Sequence, residues 1–457
     1  MRRGGASWLV GAALAAACAR TGTEVSERAL GRTAGSADLA DGGEDVRDAT
    51  REATLPDIPP ETIEPQVLQT FAGLAMGMTT DATGNLYVVG SFEGSADFGA
   101  GIITSRGRSD AFLLKLTPTG TVLWSKVFGT PGAEGFAAVA CDPTTGVVTV
   151  SGSAEGQLDL GLGPLPPPVE PWFSSVGDGF IARFNADGTI RSSARTPRGR
   201  VDRLAQVGAV VAMGGLNPRA VGGPDLPLSA FTSRLGATAT LDLATNQGLI
   251  DDMSGNPRGY AVVGNFAPSL GTPDAVVATA DRGATTFVSR LGPAGGHLWT
   301  RAFLAQTESV AIASDDAVFI GGRCVACNVP GAPPDAAFVT KLTPTGVVQW
   351  TGAFKSTGGN HEVTSMSALP SGGVAYAGYF SGIATFDDRP HRSDEIDAYV
   401  AVTDAAGRTR WSAALARAGS SLGPIVVADP TGAVYVASTF GLGSAQRARF
   451  DIAKFAP

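Results

Sequence analysis

The strongest constraint on this chain is a phrase that it repeats. Residues 110–124 read DAFLLKLTPTGTVLW, and residues 335–350 read DAAFVTKLTPTGVVQW. Each copy predicts an apolar strand, a turn at a Pro-x-Gly corner and a second strand that carries Trp. Related copies recur about every 50 residues, a period typical of architectures built from one repeated supersecondary unit. The repeat therefore determines the architecture before any single residue is considered.

Two markers count the repeat units independently. The first is the small residue that ends the second strand of each unit: Gly90, Gly152, Gly214, Gly264, Gly321, Gly378 and Ala437. The second is the apolar, mostly aromatic residue of the third strand: Phe112, Phe180, Phe231, Phe287, Phe338, Tyr399 and Ile452. Both markers give seven units in the same order.

The last unit is incomplete, and the beginning of the repeat region offers the missing piece. That unit stops after its third strand, residues 451–455, and lacks the Trp-bearing fourth strand. Residues 66–73 have the pattern of that strand and precede the first complete unit. Pairing the two ends would close a ring and remove the open sheet edges that invite aggregation.

The phrases D-A-F-L-x-K-L-x-P-x-G-x-V-x-W and D-x-x-G-N-x-Y-V-x-G resemble the seven-bladed β-propeller repeat of many secreted or surface bacterial proteins. The resemblance covers residues 66–457, is weaker in units two and three, and implies a fold and an extracytoplasmic setting without a shared reaction. We therefore predict an all-β chain in which residues 61–457 form a single seven-bladed β-propeller of four-stranded antiparallel blades. An N-terminal strand is expected to complete the last blade.

Composition agrees with many short strands and excludes one class of partner. The chain has 61 Gly and 29 Pro residues and only 17% charged residues, as expected for strands joined by tight turns. Its net charge is −8 and its sequence pI is about 5.0. A nucleic-acid-binding surface would need a basic stripe to neutralise phosphates, so we predict no nucleic-acid partner.

The first residues have the pattern of a bacterial lipoprotein signal. Arg2 and Arg3 precede an apolar stretch, residues 8–17, which is too short to span a bilayer and leads directly into Cys18. Residues 1–18 are thus predicted to be a signal peptide with Cys18 as the lipidated residue, and residues 19–60 a flexible tether. The alternative is an ordinary cleaved signal with an incidental Cys. The expected location is extracytoplasmic, lipid-anchored to the bacterial cell envelope, most simply the outer membrane.

Residues that break the repeat are the candidates for binding a partner. Trp172 and Phe173 lie in a Pro-rich insertion, residues 163–176, which would present aromatic side chains or else fold back over apolar surface. Residues 387–395 form the densest charged cluster, with Asp388, Arg389, His391 and Arg392. The alternative for this cluster is an ordinary solvated loop or an acid/base site.

The remaining reactive residues have structural explanations. Cys324 and Cys327 are predicted to form a local disulfide, the default for such a pair in an exported protein, and Cys141 to be a small buried residue. The Asp that recurs at the start of the third strand, as in Asp110 and Asp335, is explained by hydrogen bonds within its own turn. No catalytic, cofactor-binding or metal-binding residues are predicted.

The sequence thus favours a non-catalytic, monomeric scaffold that binds an envelope protein or a glycan, without a cofactor. The alternative from another class is a propeller hydrolase or lyase that acts on an extracellular or envelope polymer. Its acid and base would come from loops that the sequence does not identify.

Overall fold

A computed structural model describes the chain over residues 64–167, 178–196, 201–208, 210–215, 229–234, 240–272, 275–279, 285–325, 327–386, 389–415, 420–442 and 448–456. Regular structure in these residues is entirely β, and they form repeated antiparallel blades of a β-propeller. Over the same ranges, no helix has the length and apolarity needed to cross a bilayer.

The strands are short and follow one another through the chain. The first fifteen are β1 Gln66–Ala72, β2 Leu74–Thr80, β3 Leu86–Phe92, β4 Ser95–Asp97, β5 Ile102–Thr104, β6 Asp110–Leu116, β7 Val122–Phe128, β8 Glu134–Cys141, β9 Val148–Ala154, β10 Asp178–Phe184, β11 Ile190–Arg195, β12 Val201–Val207, β13 Val210–Gly215, β14 Ser229–Arg234 and β15 Thr240–Asn256. The others are β16 Gly259–Thr272, β17 Ala275–Thr279, β18 Thr285–Leu291, β19 His297–Phe303, β20 Gln306–Ile312, β21 Val318–Cys324, β22 Ala336–Leu342, β23 Val348–Phe354, β24 His361–Ala368, β25 Val374–Phe386, β26 Arg389–Thr403, β27 Thr409–Leu415, β28 Ser420–Ala428, β29 Val434–Leu442 and β30 Arg449–Phe455.

Most blades are separate four-stranded sheets in simple up-and-down order. Four of them have the orders β2-β3-β6-β7, β8-β9-β10-β11, β20-β21-β22-β23 and β24-β25-β26-β27. A fifth has the order β28-β29-β30-β1, and β4-β5 is a small hairpin inserted in the first blade. In each four-stranded sheet the first strand contacts the first strands of neighbouring sheets, so these strands surround the centre of the ring.

The described residues contain six main sheets, whereas the sequence predicts seven blades. Strands β12 to β19 form one eight-stranded sheet in place of the third and fourth predicted blades. The reason is the length of β15, which has 17 residues. Its beginning pairs with β14, and almost its whole length pairs with β16, so hydrogen bonds run without a break between the two predicted units.

The predicted pairing of the first and last strands is present. Strand β1 runs antiparallel to β30, with Gln66 opposite Lys454 and Ala72 opposite Arg449. Thr70 Oγ1 donates a hydrogen bond of 2.6 Å to Asp451 Oδ1 across this pair. The first strands β2 and β28 are also in contact, so the ring is closed at its centre as well as at its rim.

Third-strand aromatic residues form the core, as their recurrence predicted. Phe112, Phe180, Phe287, Phe338 and Tyr399 are all completely buried. They lie in apolar clusters that combine residues of adjacent blades, such as the cluster in which Phe112 packs with Phe450 of β30. Burial of large side chains between blades is the main stabilising contribution that a ring of thin sheets can obtain.

Neighbouring blades are joined at the rim by the repeated Trp. Trp124, Trp299 and Trp350 each donate Nε1–H to a backbone carbonyl in the next blade, over 3.2, 2.7 and 3.1 Å. The acceptors are Ala186, Pro344 and Ala405, in the turns between third and fourth strands. The repeated Trp residues are thus structural and connect one blade to the next.

Each of these turns contains a Gly under the indole ring. Gly188, Gly346 and Gly407 have φ values of 80°, 79° and 87°, a left-handed conformation that favours Gly. A Cβ at Gly407 would lie 2.7 Å from the Trp350 ring. The turn therefore needs Gly both for its backbone conformation and for the approach of the Trp.

Gly407→Ala should lower the free energy of unfolding by about 2–4 kcal/mol, because it adds a clash with Trp350 to the strain of a positive φ. Gly359→Ala is the matched control, since Gly359 also has a φ of 79° but nothing within 4 Å of its Cβ position. Urea unfolding of both variants measures the difference. Equal midpoints would show that the indole contact does not constrain the turn.

Deletion of residues 64–73 should strongly destabilise the ring, because it exposes an edge of β30 and removes the Thr70–Asp451 hydrogen bond. A chain that begins at Glu64 is the control. Soluble yield and the urea midpoint report the effect. A deletion variant as soluble and stable as the control would contradict the closure role of β1.

Candidate functional site

The two faces of the ring differ in the length of their connections. One face, the turn face, carries the short turns between first and second strands and between third and fourth strands, such as residues 81–85 and 117–121. The opposite face, the insertion face, carries the connections between second and third strands and those between blades. Connections from second to third strands include the β4–β5 hairpin and the segment with the Cys324–Cys327 pair.

Turn-face Asp residues serve the turns themselves. Asp81 accepts hydrogen bonds from the backbone N–H groups of Thr83 and Asn85, and Asp429 accepts equivalent bonds from Thr431 and Ala433. These hydrogen bonds to the ionised form hold the pKa of Asp81 below its usual value although burial opposes them. The carboxylates of this face are therefore committed to local structure.

Every sequence-predicted binding residue falls in a connection between second and third strands. Trp172, Phe173 and Asp388 lie outside the described residues. The part of the Pro-rich insertion that is described packs back onto the blade, where Leu165 joins the buried cluster around Phe180. Arg195 Nε donates to the Pro166 carbonyl over 3.1 Å and holds this segment against β11.

The charged cluster around His391 is a hairpin rather than an irregular loop. Strands β25 and β26 extend beyond the blade, with Gly382 opposite Ser393 and Phe386 opposite Arg389. His391 is half-buried, contacts the Phe386 ring and shares a 2.8 Å hydrogen bond with Ser412 Oγ. Burial lowers its pKa. Arg392 is exposed and forms an ion pair of 3.2 Å with the equally exposed Asp394.

Cys324 and Cys327 form a disulfide with a Cα–Cα distance of 5.0 Å, at the start of the connection to β22. The end of that connection is fixed by Asp335, which forms an ion pair of 2.7 Å with Arg323. His361 Nε2 lies 2.8 Å from the Asp335 carbonyl, and Ser356 N–H donates to its Nδ1, so the proton of the neutral ring is on Nε2. His361 is therefore a structural residue. Cys141 is free and buried.

A ring of β-bulges lies where the first strands surround the centre of the ring, which we call the channel. In each first strand the pairing with the second strand skips residues at an equivalent position, close to the insertion face. The skipped residues, which we call the bulge ring, are Met76, Ala137, Asp202, Asp251, Glu308, Thr364 and the pair Gly423–Pro424. Bulges redirect side chains and are common beside functional sites.

The Gly that recurs at the end of the second strand is explained by this bulge. Gly90 pairs with Ala75 beside the Met76 bulge, and a Cβ there would lie 1.9 Å from the Leu74 carbonyl oxygen. Gly378 is equally close to the Glu362 carbonyl, at 1.8 Å. In units one, two, four and six the marker Gly thus pairs with the residue before the bulge. In units three and five that place is taken by Gly215 and Gly322, one position after the marker.

Three consecutive members of the bulge ring are acidic, and further carboxyl groups lie beside them. Asp251 is raised in pKa by burial and by the charge of Glu308, although Asn265 Nδ2 donates to it over 2.7 Å. Asp252 accepts hydrogen bonds of 2.9 Å from Ser309 Oγ and from the Val310 N–H of the next blade. The Asp252 carboxylate therefore connects two first strands.

Glu362 is the acid with the most distinctive environment. It lies on β24 and accepts a short hydrogen bond from Tyr379 OH. Burial, followed by the charge of Glu308, raises the pKa of Glu362 to about 7, against the favourable effects of Tyr379 and Arg323. Such a carboxyl group holds its proton in mildly acidic solution and loses it near neutral pH.

Among the described residues, no group of three or more His, Cys, Asp or Glu side chains is arranged to hold a metal ion. The recurring third-strand Asp residues also do not form a ring of free carboxylates. Asp110 accepts the Arg106 N–H over 2.9 Å, and Asp451 accepts the Thr70 hydroxyl. The acidic part of the bulge ring is the main functional feature that the sequence analysis missed.

Stability should depend on pH through Glu362. Its folded-state pKa is raised from 4.5 to about 7, so its contribution is complete below pH 4.5 and is lost as the pH rises through 7. Glu362→Gln stays neutral at both pH values. The difference in free energy of unfolding between this variant and the wild type should therefore shift in favour of the variant by about 1–3 kcal/mol from pH 5 to pH 8. Urea unfolding at both pH values tests this. Asp394→Asn is the control, and a parallel pH dependence of wild type and Glu362→Gln would contradict the assignment.

No family model matches the chain, and no curated protein matches it. Among solved structures, the crystal structure of a mitotic checkpoint complex contains a similar chain, with 9% identity, a TM-score of 0.48 and coverage of 91% of this chain and 99% of that one. A protein of unknown function from Dyadobacter fermentans DSM 18053 has 13% identity, a TM-score of 0.41 and coverages of 87% and 98%. A subtype N10 neuraminidase-like protein of A/little yellow-shouldered bat/Guatemala/060/2010 has 9% identity, a TM-score of 0.39 and coverages of 69% and 93%. At these sequence identities and TM-scores, no activity of those proteins is assigned to this chain.

Proposed function

We propose that this protein is a non-catalytic scaffold that binds a protein or a glycan on the insertion face of a β-propeller. The observation that carries the proposal is the difference between the two faces. The turn face is built from short, internally hydrogen-bonded turns, whereas the insertion face carries the long connections. Ile102 of the β4–β5 hairpin is 79% exposed, and Val325 beside the disulfide is 53% exposed. Binding residues are commonly carried by long connections that a rigid scaffold holds in position.

We further propose that the ring has seven blades, with the eight-stranded sheet counting as two. Its support is the bulge ring, because the eight-stranded sheet contains two bulged first strands, β12 at Asp202 and β15 at Asp251. Every other main sheet contains one such strand. Strand β15 also contacts the first strand β12 on one side and β20 on the other, as a separate blade would.

The direction of the chain favours display of the insertion face away from a membrane. Strand β1 begins at Gln66 on the turn face and runs toward β2 on the insertion face. A lipid at Cys18, followed by the predicted tether, would therefore attach to the turn face. We propose this arrangement on the outer side of a bacterial envelope, most simply the outer membrane.

Cys18→Ser should abolish incorporation of a labelled fatty acid and release the protein from the membrane fraction. Labelling of cells that express the full chain, followed by fractionation, measures both. The Trp172→Ala variant, in which Cys18 is unchanged, is the control and should remain labelled. An unlabelled wild-type chain would exclude the lipid anchor.

Substitution of residues on the insertion face should abolish binding of the partner. Substitution of a residue near the turn face should leave that binding unchanged. We would immobilise the protein, incubate it with envelope extract and quantify retained proteins and sugars. Ile102→Glu and Trp172→Ala should each reduce retention of a stoichiometric partner by tenfold or more, on the order of 1.4 kcal/mol. Leu298→Glu, at an apolar position near the turn face that is 59% exposed, is the control. No retained partner, or equal loss in all three variants, would contradict the proposal.

One observation favours the second candidate, a hydrolase or lyase that acts on an extracellular polymer. Glu362 keeps a proton close to neutral pH, as a general acid must, and it lies near the channel mouth. Turnover of envelope or extracellular polysaccharides that is lost in Glu362→Gln but kept in Asp394→Asn would replace the scaffold proposal. Absence of turnover leaves Glu362 with its electrostatic role.

A further inference from the structure

The bulge ring gives the mouth of the central channel two unlike sides. Asp202, Asp251 and Glu308 come from the consecutive first strands β12, β15 and β20. Met76 and Ala137 occupy the equivalent bulges of β2 and β8. All five side chains keep part of their surface exposed, as expected for residues that line a narrow opening. The mouth is therefore acidic on one side and apolar on the other.

Glu308 is the residue whose surroundings point to a ligand. Its charge interacts with Asp252 of β15, Arg203 of β12 and Glu362 of β24. These groups lie on both sides of β20, on first strands that surround the centre of the ring. Burial is the largest influence on its pKa, which it raises. Nevertheless, its carboxylate has no hydrogen bond or ion pair with any residue that the structure describes.

The other charged groups around Glu308 already have their own partners. Asp251 is bound by Asn265, and Asp252 by backbone N–H groups and Ser309. Glu362 is bound by Tyr379.

Two guanidinium groups act on these carboxyl groups, and both are engaged. Arg203 donates to the backbone oxygens of Asp251 and Asp202, and Arg323, which acts on Glu362, is paired with Asp335. Four carboxyl groups, those of Asp251, Asp252, Glu308 and Glu362, thus lie near two cations that have other partners. A partly buried carboxylate with no donor is costly, and a cationic ligand would remove that cost.

We propose that the channel mouth binds a primary ammonium group on an aliphatic stem, with Glu308 as the main acceptor. An ammonium group brings three donors and a compact charge, and its methylene stem would pack against the apolar side at Met76 and Ala137. An aliphatic diamine and a lysine side chain share this chemistry. The site does not depend on what the rest of the insertion face binds.

Binding should release protons, because the ammonium group favours the ionised carboxylates. Glu308, Glu362, Asp251 and Asp252 all have raised pKa values; Arg203 is the cation that acts on Glu308, Asp251 and Asp252, and Arg323 the one that acts on Glu362. Affinity for an ammonium ligand should therefore increase from pH 5.5 to pH 8, and fewer protons should be released at the higher pH. A ligand attracted only by the overall negative charge of the protein would show no such coupling.

The test is calorimetric titration of the full protein with cadaverine, in buffers of low and high ionisation enthalpy at pH 5.5, 7 and 8. We expect saturable binding at one site with proton release, and a loss of affinity of about tenfold or more in Glu308→Gln. Asp394→Asn, an exposed acidic residue of the β25–β26 hairpin, should bind like the wild type. Absence of saturable binding, or equal binding by Glu308→Gln, would overturn the proposal.

The source of the ammonium group is distinguished by a second ligand. A short peptide with one lysine is compared with the same peptide carrying acetyl-lysine. Binding of cadaverine alone assigns the site to a free diamine, and binding of the lysine peptide but not its acetylated form assigns it to a protein side chain. Binding of both lysine and acetyl-lysine peptides would contradict recognition of an ammonium group.

Folding of the test variants can be checked separately. Glu308→Gln removes one of several mutually repelling charges and should raise the thermal midpoint at pH 8. If it fails to fold, Met76→Lys supplies an ammonium group within the channel. It should raise the thermal midpoint at pH 8 and prevent cadaverine binding. A Met76→Lys protein that folds and still binds cadaverine as the wild type does would overturn the proposal.

Discussion

The joint between one blade and the next is the interaction on which the rest of the structure depends. At three junctions an indole ring lies on a left-handed Gly of the following blade and donates a hydrogen bond to the same turn. Lys115 and Lys341 add a second link, because each reaches a carbonyl of the next blade over 3.2 and 3.3 Å. Between β1 and the first blade, Leu68 takes the place of Trp against Gly120. The joint fixes how far each blade is rotated relative to its neighbour, and hence where the first strands meet.

Polar contacts between first strands complete this arrangement at the centre. Asp252, Ser254, Ser365 and Ser367 each accept a backbone N–H from the first strand of the next blade. These side chains satisfy donors that no strand pairing reaches. The centre of the ring is consequently lined by residues of two kinds, those that connect blades and those of the bulge ring. Glu308 belongs to the second kind, which is why it is the centre of the proposed ammonium site.

The sequence predicted what depends on local pattern and missed what depends on pairing between strands. Recurring third-strand aromatics such as Phe112, and the Trp of the fourth strand, were readable because each repeat places them at the same distance from a turn. The acidic bulges were not readable, because a bulge exists only in the register between two strands, although Gly90 and its equivalents carried its trace. Pro390 and the surrounding charges predicted a loop, whereas pairing with residues 382–386 extends β26 into a hairpin. The length of β15, which merges two predicted blades, likewise depends on its partners.

The first and last strands lie side by side, and this determines how the ring responds to force. Gln66 lies opposite Lys454, so the chain enters and leaves the propeller side by side on the turn face. Tension applied between these two points would peel β1 from β30 one hydrogen bond at a time instead of shearing the whole pair at once. The ring therefore has a seam at which it opens under a small load, while the other blades, which have no chain end, remain closed. The same geometry lets the entire disc be inserted into a loop of another protein with little change in the distance between the joined ends.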